Sequence, residues 1–189
     1  MATELDYFER AISLKEYMDR MEQHKESSFS IYEQFDVPQD DEFITHLKEF
    51  TPRILVITED WCGDAMMNNP ILRRIAEAAD LDVRAVYRDE DTELIDRHLT
   101  NGGRSIPIYL LLDDEGNVAA KWGPRAATIQ TRVMELKSQI PPKDAPDFEE
   151  KQKAVFTKLF SEYTTKPEFW LTVYEDIRTT FLPVVQGTK

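Results

Sequence analysis

The sequence predicts an α/β fold with a mixed central sheet, and two patterns carry that reading. Short apolar strands alternate with amphipathic helices from about residue 53 to residue 140, and the last two strands lie close enough to form a hairpin. Strand–helix–strand units make parallel neighbours and a hairpin makes an antiparallel one, so the helices must cover the faces of one mixed sheet.

The elements follow in order. Leu5, Phe8, Ile12, Tyr17, Met18 and Met21 recur at mixed three- and four-residue spacing, which predicts a helical N-terminal extension over residues 1–28, closed by the polar stretch 23–28. Residues 29–35 read as a short strand or extended segment. Asp40 then opens a helical pattern through Phe43, Ile44, Leu47 and Phe50 that Thr51-Pro52 stops. Residues 53–58 read as a buried strand, 63–79 as a helix, 83–87 as a strand, and 91–99 as a helix that Asn101-Gly102-Gly103 ends. Residues 106–112 and 118–122 make the hairpin around Asp113-Asp114-Glu115-Gly116-Asn117, and 126–140 is a further helix. Pro141-Pro142 and Pro146 mark a boundary, so the division is 1–28, a central domain over 29–140, and a C-terminal helical extension over 141–189. That extension has two helical faces, one of Phe148, Val155, Phe156, Leu159, Phe160 and Tyr163, the other of Phe169, Trp170, Val173, Tyr174, Ile177 and Phe181. Such a concentration of rings must be buried. Packing on the chain's own domain is the expected outcome, with a homodimer or partner surface behind it.

Composition narrows the function classes. Hydrophobic residues make up 41% of the 189, enough for a core, while 36 acidic and 23 basic side chains leave a formal charge of −13. Phosphate-rich partners are repelled by that balance, which argues against nucleic acid and anionic membranes. No apolar run approaches the roughly 20 residues a bilayer requires, and the first residues lack a basic leader followed by an apolar stretch, so a cytoplasmic location is expected. His24, His46 and His98 are scattered without metal-ligand spacing, no phosphate-binding glycine motif follows a strand, and no Gly-x-Ser-x-Gly elbow is present. Neither a metal nor another cofactor is therefore expected.

Chemistry concentrates instead on one thiol. Cys62 is the only cysteine, which excludes an internal disulfide and a multi-cysteine metal cluster. It stands in Glu59-Asp60-Trp61-Cys62-Gly63-Asp64-Ala65, at the C-terminal end of a strand and the N-terminal end of a helix. Free amide groups and the helix dipole at such a place favour the thiolate, the reactive form of cysteine.

Trp61-Cys62-Gly63 at a strand-to-helix turn, with Pro70 inside the following helix, resembles the active-site segment of thioredoxins. Ser105-Ile106-Pro107 resembles that family's cis-proline segment, and Pro107-Ile108-Tyr109-Leu110-Leu111-Leu112 with Gly116, Val118-Ala119-Ala120 and Gly123 is similar to the rest of its C-terminal half. The likeness covers about residues 29–140 and is nearest to bacterial thioredoxin-like proteins with helical extensions and a Trp-Cys-Gly-Asp turn. It implies a thioredoxin-like three-layer sandwich with a central mixed sheet, plus N- and C-terminal helical extensions. It also implies that Cys62 is the reacting group and that Trp61, Gly63, Asp64, Ile106 and Pro107 form the substrate surface.

Three departures qualify the resemblance. The family's second cysteine would fall at Ala65, so a mixed disulfide on Cys62 has no internal thiol to resolve it. The family's buried carboxylate beneath the active site is replaced by Val56, and the proline between the two cysteines by Asp64. A carboxylate so near Cys62 opposes the thiolate, although capping the helix through backbone amides is the favoured role for Asp64. A peroxiredoxin would need threonine three positions before the cysteine, where this chain has Glu59. Arg88 and Arg104 flank the cis-proline segment and are weaker candidates to hold a substrate carboxylate.

The function expected from this combination is monothiol disulfide exchange at Cys62. The partner is a thiol- or disulfide-bearing protein or a low-molecular-weight thiol, and an external thiol does the resolving. The alternatives are a non-catalytic thioredoxin-fold binding module and a thiol redox sensor that cycles through sulfenic acid.

Overall fold

The computed structural model of the protein describes residues 1–187. Its sheet has five strands, β1 (Ile12–Ser13), β2 (Arg53–Thr58), β3 (Asp82–Tyr87), β4 (Ile108–Leu112) and β5 (Val118–Trp122), in the order β1-β3-β2-β4-β5. β2 and β3 run parallel with Ile54 opposite Val83, while β1 on β3, β4 on β2 and β5 on β4 are antiparallel. Side chains alternate across a strand, and here the alternation separates two cores. Leu55, Ile57, Ile108, Leu110 and Leu112 point to one face, and Ile54, Val56, Val83, Ala85, Tyr109 and Leu111 to the other.

Helices α1 (Glu4–Arg10) and α6 (Thr92–Asp96) close the first face through Tyr7, Phe8, Leu94 and Ile95. The second face meets α5 (Gly63–Ala79), which buries Met66, Met67, Ile71, Leu72 and Ile75. Around α5 lie α2 (Leu14–Asp19), α3 (Lys25–Gln34), α4 (Asp41–Phe50), α7 (Ala127–Lys137), α8 (Phe148–Thr165) and α9 (Pro167–Val185). The expected three-layer sandwich with a central mixed sheet is therefore present. The strand at 53–58, the helix at 63–79 and the strand at 118–122 occupy the expected residues.

Pro70 lies inside α5 and has no N–H to offer the carbonyl four residues earlier. That carbonyl belongs to Met66, and the fully buried Ser28 hydroxyl of α3 donates to it at 3.0 Å. A cross-helix bond thus replaces the one the proline removes.

The aromatic tail folds back on the chain's own domain. In α9, Trp170, Val173, Tyr174, Ile177, Phe181, Leu182 and Val185 are buried at helical spacing. These seven side chains represent roughly 10–20 kcal/mol of gross transfer free energy before the cost of ordering them. Polar ties fix the docking. Asp40, the N-cap of α4, accepts from Tyr174 at 2.9 Å and from Arg178 at 2.6 Å, and Trp122 donates to Asp176 at 2.7 Å.

Several local expectations are corrected. Residues 29–35 belong mostly to α3, not to a strand, and the helix buries Ser28 and Ile31 while Phe35 caps its end. Its half-buried Tyr32 carries the guanidinium groups of Arg73 and Arg74 over its ring at 4.2 and 4.1 Å. The segment before residue 29 is not helical throughout, because Ile12 and Ser13 pair with Ala85 and Arg84 at the sheet edge. The helix expected over 91–99 spans only Thr92–Asp96, and the strand expected from 106 begins at Ile108. No helix among the described residues is long and apolar enough to cross a membrane.

Candidate functional site

The site forms where β2, β4 and β5 present their ends. After β2 the chain turns through Glu59-Asp60-Trp61, and the turn is stapled from both sides. Glu59 accepts from the Asp89 amide at 2.8 Å, and Asp60 accepts from the amides of Glu22 and Gln23 at 2.8 and 3.2 Å. Cys62 then serves as the N-cap of α5 in extended backbone conformation, with its carbonyl accepting from Met66.

The Ile106–Pro107 peptide is cis. It brings the Ile106 carbonyl to the Cys62 thiol, which donates to it at 3.5 Å. The hairpin sets Tyr109 opposite Trp122, so the segment after β5 returns beside this loop. There the Gly123–Pro124 peptide is also cis, and Gly123 sits at φ +119 because a Cβ on it would stand 2.2 Å from the Pro107 carbonyl oxygen. Trp61, Cys62, Asp64, Arg88, Arg104, Ser105, Ile106, Pro124 and Arg125 line an open cleft of about 310 Å³. Trp61 is 44% exposed with the Arg88 guanidinium 4.9 Å above its ring.

The thiol is held as a thiol. Burial pushes the Cys62 pKa up to about 11, Asp64 raises it further, and the amides of Ala65 and Asp64 with the Arg125 charge pull only partly the other way. The helix terminus alone would favour the thiolate; desolvation of a side chain left only 8% exposed outweighs it. The sequence expectation of a favoured thiolate is therefore corrected.

Asp64 is corrected as well. It makes no helix cap: α5 has no side-chain cap hydrogen bond at its N-terminus. Its carboxylate instead takes a two-point ion pair from Arg125, Nε to Oδ1 at 2.8 Å and Nη2 to Oδ2 at 2.8 Å. The Tyr163 hydroxyl of α8 donates to the same Oδ1 at 2.6 Å, and Arg125 also donates to Gln130 at 2.8 Å.

Trp61, Cys62, Asp64 and Ile106 thus come together in one cleft, with Pro107 behind the Ile106 carbonyl. Gly63 faces the neighbouring apolar groove formed with His24, Phe156, Leu159, Phe160 and Tyr163. Arg88 donates to Asp89 and to the Arg104 carbonyl, and Arg104 forms a two-point pair with Asp96, so both cations already have partners. Val56 is fully buried in β2. Near it lies an uncharged polar chain: Tyr109 donates to Asn69 at 2.7 Å, and Asn69 donates to Thr58 at 3.1 Å. Among the described residues, no three His, Cys, Asp or Glu side chains are grouped so as to hold a metal ion.

Sequence reasoning missed Arg125, Pro124 and Tyr163. The first two were within reach, since an antiparallel hairpin counted outward from its turn sets residues 123–125 beside 106–107. Tyr163 lies 99 residues from Asp64 and gave no local signal.

A mixed sheet between helical layers, with a cysteine at a helix start beside a cis-proline loop, defines the thioredoxin-like class of proteins. A family model described as thioredoxin matches residues 11–139, and the chain belongs to that family. No curated protein matches it. Among solved structures it resembles a crystallised HIV epitope scaffold at 15% identity and a TM-score of 0.66, with 100% of both chains covered. It also resembles a protein of unknown function from Pseudomonas aeruginosa at 16% identity and a TM-score of 0.59, covering 95% of this chain and 99% of that one. At these identities the likeness concerns the fold alone.

Proposed function

We propose that the protein is a single-cysteine thiol–disulfide exchange protein in which Cys62 reacts and an external thiol restores it. The observation that carries this reading is the placement of the Cys62 sulfur 3.5 Å from the Ile106 carbonyl, in an open cleft beside the cis Ile106–Pro107 bond. An extended substrate laid along that loop meets the sulfur, with Trp61 at its side. The Cys62 thiolate attacks one sulfur of a disulfide, a new S–S bond forms, and the other sulfur departs as a thiolate. The external thiolate then attacks the adduct's outer sulfur and returns Cys62 to its reduced state.

The raised pKa gives this chemistry a tempo. With a pKa of about 11 the thiol ionises in roughly one molecule in 10,000 at pH 7. That is about 300-fold less than a free cysteine of pKa ~8.5, and the greater nucleophilicity of the more basic thiolate recovers about tenfold. Attack is then slower than for free cysteine by about an order of magnitude. A basic thiolate is also a poor leaving group, so the mixed disulfide persists. Slow capture and slow release are the expected behaviour.

Incubation with bis(2-hydroxyethyl) disulfide tests the reading. Mass spectrometry is expected to find one adduct per chain on Cys62, released by added thiol and absent from Cys62→Ser. A folded protein that forms no adduct at pH 9 contradicts it. The burial that raises the thiol pKa favours a second reading, a binding module in which the cleft recognises a partner without covalent chemistry. Retention of a cellular partner at undiminished affinity by Cys62→Ser supports that reading instead.

A further inference from the structure

The Asp64–Arg125–Tyr163 cluster joins three separate parts of the chain at the thiol-bearing turn. Asp64 is on α5, Arg125 is in the loop after β5, and Tyr163 belongs to the C-terminal extension. The Asp64 and Arg125 side chains are only 12% and 19% exposed, so water screens the pair weakly. Both residues line the same cleft as the sulfur.

We propose that Arg125 is a positioning residue for Cys62, neutralising Asp64 beside the sulfur, and that helix α8 takes part in this control through the Tyr163 hydroxyl. The proposal rests on Cys62 being the reacting group. An unneutralised carboxylate two residues from the thiol disfavours ionisation. Clamped on two points by a guanidinium and hydrogen-bonded by a phenol, the same carboxylate has its field at the sulfur offset in part by the Arg125 charge. The thiol itself donates its hydrogen bond to the Ile106 carbonyl.

The other groups around the sulfur do not supply this balance. Tyr109 of β4 is fully buried and its pKa lies well above the usual value, so it stays neutral. Arg88 and Arg104 at the outer rim are paired with Asp89 and Asp96. Glu59 is engaged with the Asp89 amide and Asp60 with the amides of Glu22 and Gln23. Arg125 is the cation nearest the problem that Asp64 creates.

The test compares two substitutions that break the same ion pair from opposite ends. The rate of Cys62 alkylation by iodoacetamide, a neutral reagent, is measured at pH 8 in Asp64→Asn and Arg125→Gln. A purely structural role loosens the turn in both and moves both rates the same way. The electrostatic role moves them apart: Asp64→Asn is expected to react about tenfold faster, equivalent to a pKa lower by about one, and Arg125→Gln several-fold slower. Tyr163→Phe, which keeps the ring packing, is expected to slow alkylation about twofold, and Arg125→Lys to stay nearer the parent rate than Arg125→Gln. Rates that move together, or that do not move in either charge variant, overturn the proposal. Alkylation needs no disulfide substrate, so a failure here is distinct from a failure of disulfide exchange.

Discussion

Replacing Ser28 with alanine removes one hydroxyl and almost no volume, yet it strikes at the helix that carries Cys62. The Met66 carbonyl has no helical donor because residue 70 is proline, and Ser28 Oγ at 3.0 Å is what satisfies it. Ser28 is completely buried, so water does not take over. Leaving a buried carbonyl unpaired costs about 1–3 kcal/mol, and we take about 2 as the expected loss. For a chain of this size that lowers Tm by about 4–8 °C. Urea unfolding followed by tryptophan fluorescence measures it as a lower midpoint at unchanged slope. A second substitution makes the reasoning specific. Pro70→Ala restores an N–H at position 70, able to reach the Met66 carbonyl, so in that background Ser28→Ala should cost less than about 0.5 kcal/mol. The coupling is then at least about 1 kcal/mol, well beyond the 0.3–0.5 kcal/mol of independent sites. Additive costs in the double variant, or a cost below 0.5 kcal/mol in the parent, refute the assignment.

Four further outcomes are expected. Alkylation of Cys62 should rise about tenfold per pH unit from pH 7 to 10 without a plateau, since the thiol pKa is raised to about 11; a plateau near pH 7 contradicts the buried-thiol geometry. The same shift stabilises the fold at low pH. Its contribution is complete below the unfolded thiol value of ~8.5 and is lost as pH rises toward the folded value, so the parent loses more stability than Cys62→Ala between pH 8.5 and 11. Trp170→Ala deletes a ring that is 2% exposed and whose Nε1 donates to the Tyr163 carbonyl at 2.8 Å; a loss of about 3–5 kcal/mol is expected from thermal or urea unfolding, and a loss below 1 kcal/mol argues against the docked tail. Gly123→Ala would set a methyl 2.2 Å from the Pro107 oxygen at φ +119, so it should cost at least about 2 kcal/mol; an unchanged Tm shows that this close approach is wrong.

The parts of the fold that were legible are those where local pattern and burial agree. β2 is an uninterrupted apolar run buried in the middle of the sheet, and α5 spans the residues that its apolar periodicity marks. The segment at 29–35 was not legible, because Phe29, Ile31 and Phe35 fall at odd positions and mimic a strand. The helix is decided by contacts with α5, including Ser28 to Met66 and Tyr32 to Arg73 and Arg74, none of which is local. The site divides in the same way. Cys62, Trp61 and the cis Ile106–Pro107 bond could be placed from short motifs and their order. The charge state of Cys62 could not, because it is a contest between burial and nearby charge that only packing decides. The role of Asp64 was misjudged for the same reason: a cap is a local device, whereas its real partners lie 61 and 99 residues away.

Those long separations bear on the order in which the protein becomes itself during synthesis. The sheet, α5 and the cis-proline loop all lie within the first 140 residues, so the framework around Cys62 can assemble early. Tyr163, Tyr174 and Arg178, which tie Asp64 and Asp40 into the final packing, emerge much later. Until α8 and α9 dock, the face that receives them is bare and Asp64 lacks its phenolic partner. A chain stalled on the ribosome near residue 140 would therefore expose a differently tuned thiol from that of the finished protein. Helices α8 and α9, made after the Cys62 turn, thus complete the packing around it.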